Sequence, residues 1–99
     1  MSQALHAVTV TAEVTVLVPR GTDGTLTTAA RDALAAIERV RTVHDVEHAG
    51  FRPRATDIEV DIVARLTVDE ARGREAVETA LQNGFGVRAV NVTALESDR

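Results

Sequence analysis

The residues that could carry chemistry in this 99-residue chain are few. The absence of cysteine removes disulfides, thiolate metal sites and thiol nucleophiles. The histidines are His6, His44 and His48. The last two would share a helix face, but the intervening Asp45-Val46-Glu47 favours an extended segment, in which they stand ~13 Å apart. We therefore expect neither a metal site nor a cofactor.

Asp57, Glu59 and Asp61 alternate along one predicted strand. Their side chains should share a face at intervals of ~6.8 Å, too far apart to hold one cation without help from a second strand. We expect a solvated, solubilising face. Because Ser2 and Ser97 lie near the chain ends and no paired acid and base stands out, we also expect a non-catalytic protein.

A loop between the first strand and the first helix is the main candidate for ligand binding. It contains Arg20, Gly21, Thr22, Gly24 and Thr25. Its glycines let the backbone approach a ligand, the following helix start offers free amides, and its arginine adds a cation, so a small anionic effector could bind there. The loop lacks the lysine and the length of a phosphate loop, and a plain connecting turn is the alternative.

A second candidate is a small cationic tip formed by Arg52 and Arg54, which flank Pro53 at a predicted turn. The chain as a whole is acidic. It has 11 basic residues, all arginine, against 15 acidic ones, and a net charge of −4. This balance opposes a dominant nucleic-acid role, which normally requires clustered cations.

The sequence shows no apolar run long enough to cross a membrane, and the amino terminus lacks the basic and apolar stretches of a secretory signal. We therefore expect a cytoplasmic protein with no membrane partner. Composition and length predict a single domain over residues 1–99, with an ordered core over about 6–95 and a polar tail over 96–99.

Period-two alternation predicts strands over Val8–Val18 and Ile58–Leu66, with the even-numbered residues buried. Between them, apolar residues at spacings of three and four predict a helix that Thr25 caps and that reaches about Arg41. A shorter and weaker strand is expected around Val46 to Phe51.

Thr67 and Glu70 have the spacing of a capping box, which predicts the start of a second helix. Asn83-Gly84 predicts its left-handed end, with Phe85 folding back on the last turn. A final strand is expected over about Val87–Leu95. The buried stripe of the helix should comprise Gly73, Ala76, Val77, Ala80 and Leu81. The inward residues of the strand should be Val90, Val92 and Ala94.

This element order predicts an α+β fold, a ferredoxin-like βαββαβ sandwich with a four-stranded antiparallel sheet and two helices on one face. A closed or half-closed barrel of similar content is the alternative. The first and third strands should run ~37 Å, whereas the first helix spans only ~24 Å. Unless a bulge shortens the strands, their excess apolar surface predicts a homo-oligomer, a dimer or higher.

The stretches Ile37-Glu38-Arg39-Val40 and Ala80–Phe85, each leading into a strand, resemble two ferredoxin-like groups. One is the heavy-metal-associated domain, which binds copper-like ions through Cys-x-x-Cys. This chain has Gly21–Gly24 in that region, so the resemblance implies no metal carriage. The other is the ACT-type regulatory domain, and this resemblance implies small-effector binding at loops such as residues 20–25 and at interfaces between paired domains.

The leading hypothesis is a non-catalytic module that acts by self-association and by binding a protein or small effector, in a regulatory or scaffolding role. One alternative is an accessory protein bound to RNA or the ribosome through Arg20, Arg52 and Arg54. Another is a small enzyme with its active site at an oligomer interface.

Overall fold

The computed structural model describes residues 7–21, 24–69 and 73–96. Four strands and two helices follow one another. They are β1 (Ala7–Pro19), α1 (Leu26–Ala35), β2 (Val40–Pro53), β3 (Asp57–Asp69), α2 (Gly73–Gln82) and β4 (Val87–Glu96). The strands form one antiparallel sheet in the order β2-β3-β1-β4. The protein is α+β, and its four antiparallel strands and two helices are consistent with the predicted ferredoxin-like arrangement.

The described residues cover most of the sequence predictions. His6, Thr22, Glu70 and the tail residues 97–99 lie outside them. Glu96, which we expected in the tail, is the last residue of β4. No helix in the described part of the chain is long and apolar enough to cross a membrane.

The central pair of strands sets the two faces of the sheet. β1 pairs with β3 from Ala7–Asp69 to Pro19–Asp57 without a register shift. Because side chains alternate along a strand, the even-numbered residues of both strands stay on one face. Those from Val8 to Val18 and from Val60 to Leu66 are all buried, as predicted, whereas Ile58 is only half-buried.

Both helices pack on this even-numbered face. Ala30 and Leu34 of α1 join the same hydrophobic cluster as Val77 and Leu81 of α2, together with the buried residues of β1 and β3. The opposite face, which carries the odd-numbered residues of β1 and β3, is called the open face below. A single hydrophobic core therefore lies between the helices and the sheet, as the hydrophobic pattern predicted.

The outer strands carry bulges. In β4 the register against β1 shifts at Arg88 and at Thr93. In β2 it shifts against β3 at Arg41, His44 and Ala49. A bulge inserts one residue without a partner and moves the residues after it to the other face.

The bulge at Thr93 makes the predicted inward position of Ala94 wrong. Ala94 pairs with Thr11 on the open face, and Leu95 pairs with Val10 on the helix side. The other two predicted inward residues of β4 precede the bulge and do face the helices. Val92 is buried and Val90 is half-buried. Val90 packs against the core cluster.

Several predicted boundaries of the first half are also wrong. α1 ends at Ala35 rather than Arg41, because the chain turns at Ile37, whose amide bonds the Leu34 carbonyl. β2 is a strand of 14 residues rather than a short one around Val46 to Phe51.

The predicted capping role of Thr67 is wrong as well. Thr67 lies inside β3, and its hydroxyl is 2.8 Å from the Thr9 hydroxyl and 2.8 Å from His44 Nε2. α2 begins at Gly73, which is exposed rather than part of the buried stripe. These contacts give Thr67 a structural role in the sheet.

The end of α2 also differs from the prediction. The glycine with positive φ is Gly86 (φ 83°) rather than Gly84, and Phe85 is 98% exposed instead of folding back on the helix. Gly84 is needed for another reason. A Cβ added there would lie 2.6 Å from Cγ1 of Ile37, so only glycine fits between the two helix ends.

The two helix-to-strand turns repeat each other. The amides of Ile37 and Gly84 bond the carbonyls of Leu34 and Leu81, and each turn closes with a bond to the amide of the valine that starts the next strand. The strands that follow begin Val-Arg-Thr-Val at residue 40 and Val-Arg-Ala-Val at residue 87. In both, the arginine is the bulged residue.

The strands are longer than the helices, as predicted. β1 and β3 have 13 residues each and the helices 10, and the molecule measures 50 × 23 × 19 Å. However, the even-numbered residues of the central strands are covered along almost their whole length. The large exposed apolar residues within 7–21, 24–69 and 73–96 are Phe51, Phe85 and Leu95, on the outer strands and the turn before β4.

Substitution of Gly84 tests the contact between the helix ends. We expect Gly84→Ala to lower the free energy of unfolding by about 1–3 kcal/mol, because the new methyl group would overpack against buried Ile37. Gly50→Ala is the matched control, since its Cβ would approach nothing closer than 3.8 Å. Chemical denaturation of both variants measures the difference. Equal stabilities would contradict the tight contact.

Candidate functional site

A groove of about 860 Å³ opens between the two helices and the end of β1. We call it the interhelical groove. Its lining is Leu17, Val18, Pro19, Ala29, Asp32, Ala33, Ala36, Ile37, Glu38, Arg39, Thr79, Ala80, Asn83, Gly84 and Phe85. Most of these side chains are small or aliphatic, and the groove is larger than two other cavities in the described part of the chain, which have volumes of about 270 and 450 Å³.

The composition of α1 keeps the groove open. Ala29 and Ala33 of α1 and Ala36, the residue that caps the end of the helix, recur at spacings of four and three, so they lie on one side. Ala30 and Leu34, on the adjacent side, are fully buried in the core. The helix is therefore anchored by one stripe, while its neighbouring stripe of alanines leaves space in front of it.

The charged side chains of the groove lie at its edge. Asp32, Glu38 and Arg39 are exposed and make no ion pair within the described part of the chain. The interior is formed instead by residues such as Ile37 and Ala80, which are buried. An apolar interior with a polar edge suits binding by hydrophobic contact.

Phe85 stands between this groove and a second, smaller cavity. The second cavity has a volume of about 450 Å³ and shares Leu17, Pro19 and Phe85 with the first. Arg88 and Asp57 are among its other lining residues. Complete burial of a phenylalanine side chain contributes about 1.5–3 kcal/mol, so this almost fully exposed ring would contribute free energy of that order if a partner covered it.

The turn that carries Phe85 is tied on both sides. Gly84 donates its amide to Leu81 and accepts from Val87, and the Gly86 carbonyl accepts from the amide of Leu17 in β1. Gly86 takes a left-handed conformation that other residues rarely adopt. These bonds fix the backbone on either side of the aromatic residue.

The predicted ligand loop adopts turn geometry. Gly21 and Gly24 have φ of 82° and 89°, so glycine is required there by the backbone. Thr25 caps α1 as predicted, accepting a 3.0 Å bond from the amide of Thr28. Arg20 donates from Nε to the carbonyl of Arg54 at 2.8 Å.

The structure thus brings together the loop and the cationic tip, which the sequence presented as separate candidates. Arg20, Gly21, Gly24 and Thr25 lie apart from the lining of the interhelical groove. Thr22, the remaining loop candidate, is outside the described residues.

Carboxylates surround the arginines of the tip. Arg52 pairs with Glu59 at 2.9 Å and with Asp61 at 2.8 Å. Arg54 pairs with the other oxygen of Glu59 at 2.9 Å and lies 3.8 Å from Asp57. The acidic row therefore neutralises the tip, instead of standing alone as the solvated face that we expected.

These pairs shift the acidity of the groups. Hydrogen bonds from Arg52 lower the pKa of Glu59. The hydrogen bonds that Arg52 donates to Asp61 and Glu59 raise its own pKa. The pKa of Asp61 is lowered first by the hydroxyl of Thr15, which donates at 2.7 Å, and then by Arg52. The charged forms of both carboxyls are thus favoured in the folded protein.

A second ion pair crosses the open face. Arg65 donates to both oxygens of Glu96 at 3.1 and 3.2 Å, which lowers the pKa of Glu96 and raises that of Arg65. His44 and His48 are both exposed in β2. Among the described residues no group of three or more metal-binding side chains comes together.

Sequence reasoning did not identify the interhelical groove. One signal was present, because the alanines at 29, 33 and 36 form a stripe of small residues beside the buried stripe. The exposure of Phe85 had no such signal, because Asn83-Gly84 predicted a ring that folds back on the last turn of α2.

No family model, curated protein or solved structure matches this chain. The resemblances to ACT-type and heavy-metal-associated domains therefore rest on the order of elements alone. The chain's own geometry carries the functional argument.

The acid pairs around Arg52 give a pH-dependent prediction. A carboxyl whose pKa is lowered by folding stabilises the protein above its unfolded pKa, and this contribution is lost as the pH falls through the folded pKa. The ordinary pKa values of these side chains are 4.5 for Glu59 and 3.8 for Asp61. We expect Arg52→Ala to be less stable than wild type at neutral pH, with the difference shrinking below these values.

Thermal unfolding across this pH range measures the effect. Arg39→Ala is the control, because it removes the same charge from an exposed site that has no ion pair among the described residues. If the Arg52 and Arg39 variants showed the same pH dependence, the paired carboxylates would not be contributing through Arg52.

Proposed function

We propose that this protein is a non-catalytic module that associates with itself and binds a protein or small effector, using the interhelical groove as its contact surface. The observation that carries the proposal is the groove itself, an apolar cavity of about 860 Å³ with Phe85 exposed at its edge. Binding sites for small molecules are typically concave, mostly apolar and roughly 300–1,000 Å³ in volume. The groove is within this range.

The fold supports a binding role. We propose that the sheet and helices form a ferredoxin-like sandwich, because the elements follow the βαββαβ order and both helices share one face. Such a scaffold fixes the two walls of the groove independently of any occupant. The absence of a side chain at Gly84 lets the chain after α2 approach Ile37 closely at the base of the groove.

The alternative functions receive less support. An RNA-binding role would use Arg20, Arg52 and Arg54, but the last two are paired with carboxylates and the first is bonded to a backbone carbonyl. A phosphate backbone would have to compete with those carboxylates. A catalytic role would need a nucleophile, acid or base in the interior of the groove, whereas the carboxylates of the lining, Asp32 and Glu38, lie exposed at its edge.

An apolar fluorescent probe such as anilinonaphthalene sulfonate tests the groove in dilute protein. We expect wild type to bind the probe and Ala33→Met to bind it about tenfold more weakly, because the longer side chain enters the cavity. Titration of fluorescence gives the dissociation constants.

Ala35→Met is the matched control, since Ala35 lies on the same helix but is exposed outside the groove. Unchanged thermal unfolding of each variant shows that it remains folded. Equal probe binding by the two variants, or no binding by wild type, would contradict the groove as a binding surface.

A further inference from the structure

The self-association proposed above requires a contact surface, and the two free edges of the sheet are poorly suited to it. β2 interrupts its ladder with bulges at Arg41, His44 and Ala49, and β4 with bulges at Arg88 and Thr93. Bulges and charged residues are devices that prevent a sheet edge from pairing with another chain. Continuous pairing of strand edges between two copies is therefore disfavoured.

The open face is also unsuited to self-contact, because its charge is mostly of one sign. The register places on this face the acidic residues Glu13, Asp45, Glu47, Glu59, Asp61 and Glu96. The arginines that pair with carboxylates of this face are Arg41, Arg52, Arg54 and Arg65. Glu13, Asp45 and Glu47 make no ion pair among the described residues, so negative charge remains in excess. Two copies meeting through this face would bring like charges together.

The helix side offers a self-complementary surface. Among the described residues, Phe85 is the most exposed large apolar residue, and it is also part of the lining of the interhelical groove. A projecting ring and an apolar hollow therefore lie side by side. In a two-fold interface, if one residue contacts a second, the second contacts the first in return, so an adjacent projection and hollow can be filled twice by one symmetric contact.

We propose that two copies of this chain form a symmetric dimer in which Phe85 of each enters the interhelical groove of the other. The proposal rests on the proposed function, because it names the surface and the occupant of the groove. The turn around Phe85 is already fixed by its hydrogen bonds to Leu81, Val87 and Leu17. Little backbone ordering is then required when the ring is buried.

Charges at the edge of the groove complement those beside Phe85. Arg88 follows Phe85 by three residues, is exposed, and makes no ion pair among the described residues, unlike its counterpart Arg41, which pairs with Asp69. At the edge of the groove lie two carboxylates, Asp32 and Glu38, and one cation, Arg39, and none of them makes an ion pair in the described part of the chain. Entry of Phe85 brings the Arg88 of the same copy toward these carboxylates, and symmetry repeats the contact.

Light scattering and sedimentation of the intact chain over a concentration series test the dimer. We expect wild type to dimerise and Phe85→Ser to raise the dissociation constant about a hundredfold or more, since the substitution removes an aromatic anchor at two symmetric positions. Arg74→Glu is the surface control and should dimerise like wild type, because Arg74 is exposed and outside the groove.

Complementation tests the reciprocal insertion directly. Phe85→Ser keeps an open groove without the ring, and Ala33→Met keeps the ring with a filled groove. We expect each variant alone to associate weakly and their mixture to form a heterodimer more tightly than either, because one ring and one groove remain intact between them. A mixture no tighter than the separate variants would overturn the reciprocal insertion.

A charge exchange tests the edge contacts. We expect Arg88→Glu and Asp32→Arg each to weaken the dimer about tenfold and their combination to recover most of the loss. If wild type dimerises and Phe85→Ser does so equally well, the insertion is wrong while self-association stands. If wild type stays monomeric throughout, both the insertion and the self-association are wrong, and probe binding by the groove would then assign it to another ligand.

Discussion

The structure depends on the uninterrupted antiparallel pairing of β1 with β3. Thirteen consecutive residue pairs join these strands without a shift, so every even-numbered side chain of both faces the same side. The apolar residues on that side leave water together, and the helices have one continuous surface to cover. A slip of one residue would transfer this whole set to the open face. The position of both helices, and hence of the groove between them, follows from this register.

The outer strands are arranged around this central pair with less regularity. Their bulges let β2 and β4 change which side chains face the helices, and they place Leu95 rather than Ala94 on that side. The two helix-to-strand turns have the same hydrogen-bond pattern, and an arginine is bulged at the start of the strand that follows each turn. The two turns differ in local contacts. Arg41 pairs with Asp69, whereas Arg88 makes no ion pair among the described residues, and Gly84 after α2 lies against Ile37 after α1.

The sequence was sufficient to predict the elements that are governed by local periodicity. The alternation of Val8–Val18 and Ile58–Leu66 gave the central strands, and Thr25 was correctly identified as a helix cap. Thr67 was misinterpreted because its spacing to Glu70 imitates a helix start. Its actual partners, Thr9 and His44, are 58 and 23 residues away, and no local pattern reports such contacts.

For the candidate sites too, the sequence showed the local features but not the contacts between residues distant in the chain. The glycines of the loop were noticeable in the sequence, but their positive φ angles give them a backbone role. The positive charges of Arg52 and Arg54 are evident from the sequence. Their neutralisation is not, because it requires the pairing of β2 with β3, which places carboxylates such as Glu59 beside them. The groove arises from the packing of helices distant in sequence, and its alanines acquire meaning only when both walls are in place.

The bulges of β2 and β4 have a consequence for the fate of the protein at high concentration. Long strands rich in alternating valine are suited to the stacked, hydrogen-bonded layers of cross-β fibrils, which grow when each new chain finds a regular strand end to copy. Here both outermost ladders are broken at intervals of a few residues, so a fibril would have no flat template on the folded molecule. We therefore expect the irregular outer strands to disfavour growth of this long sheet from one molecule to the next.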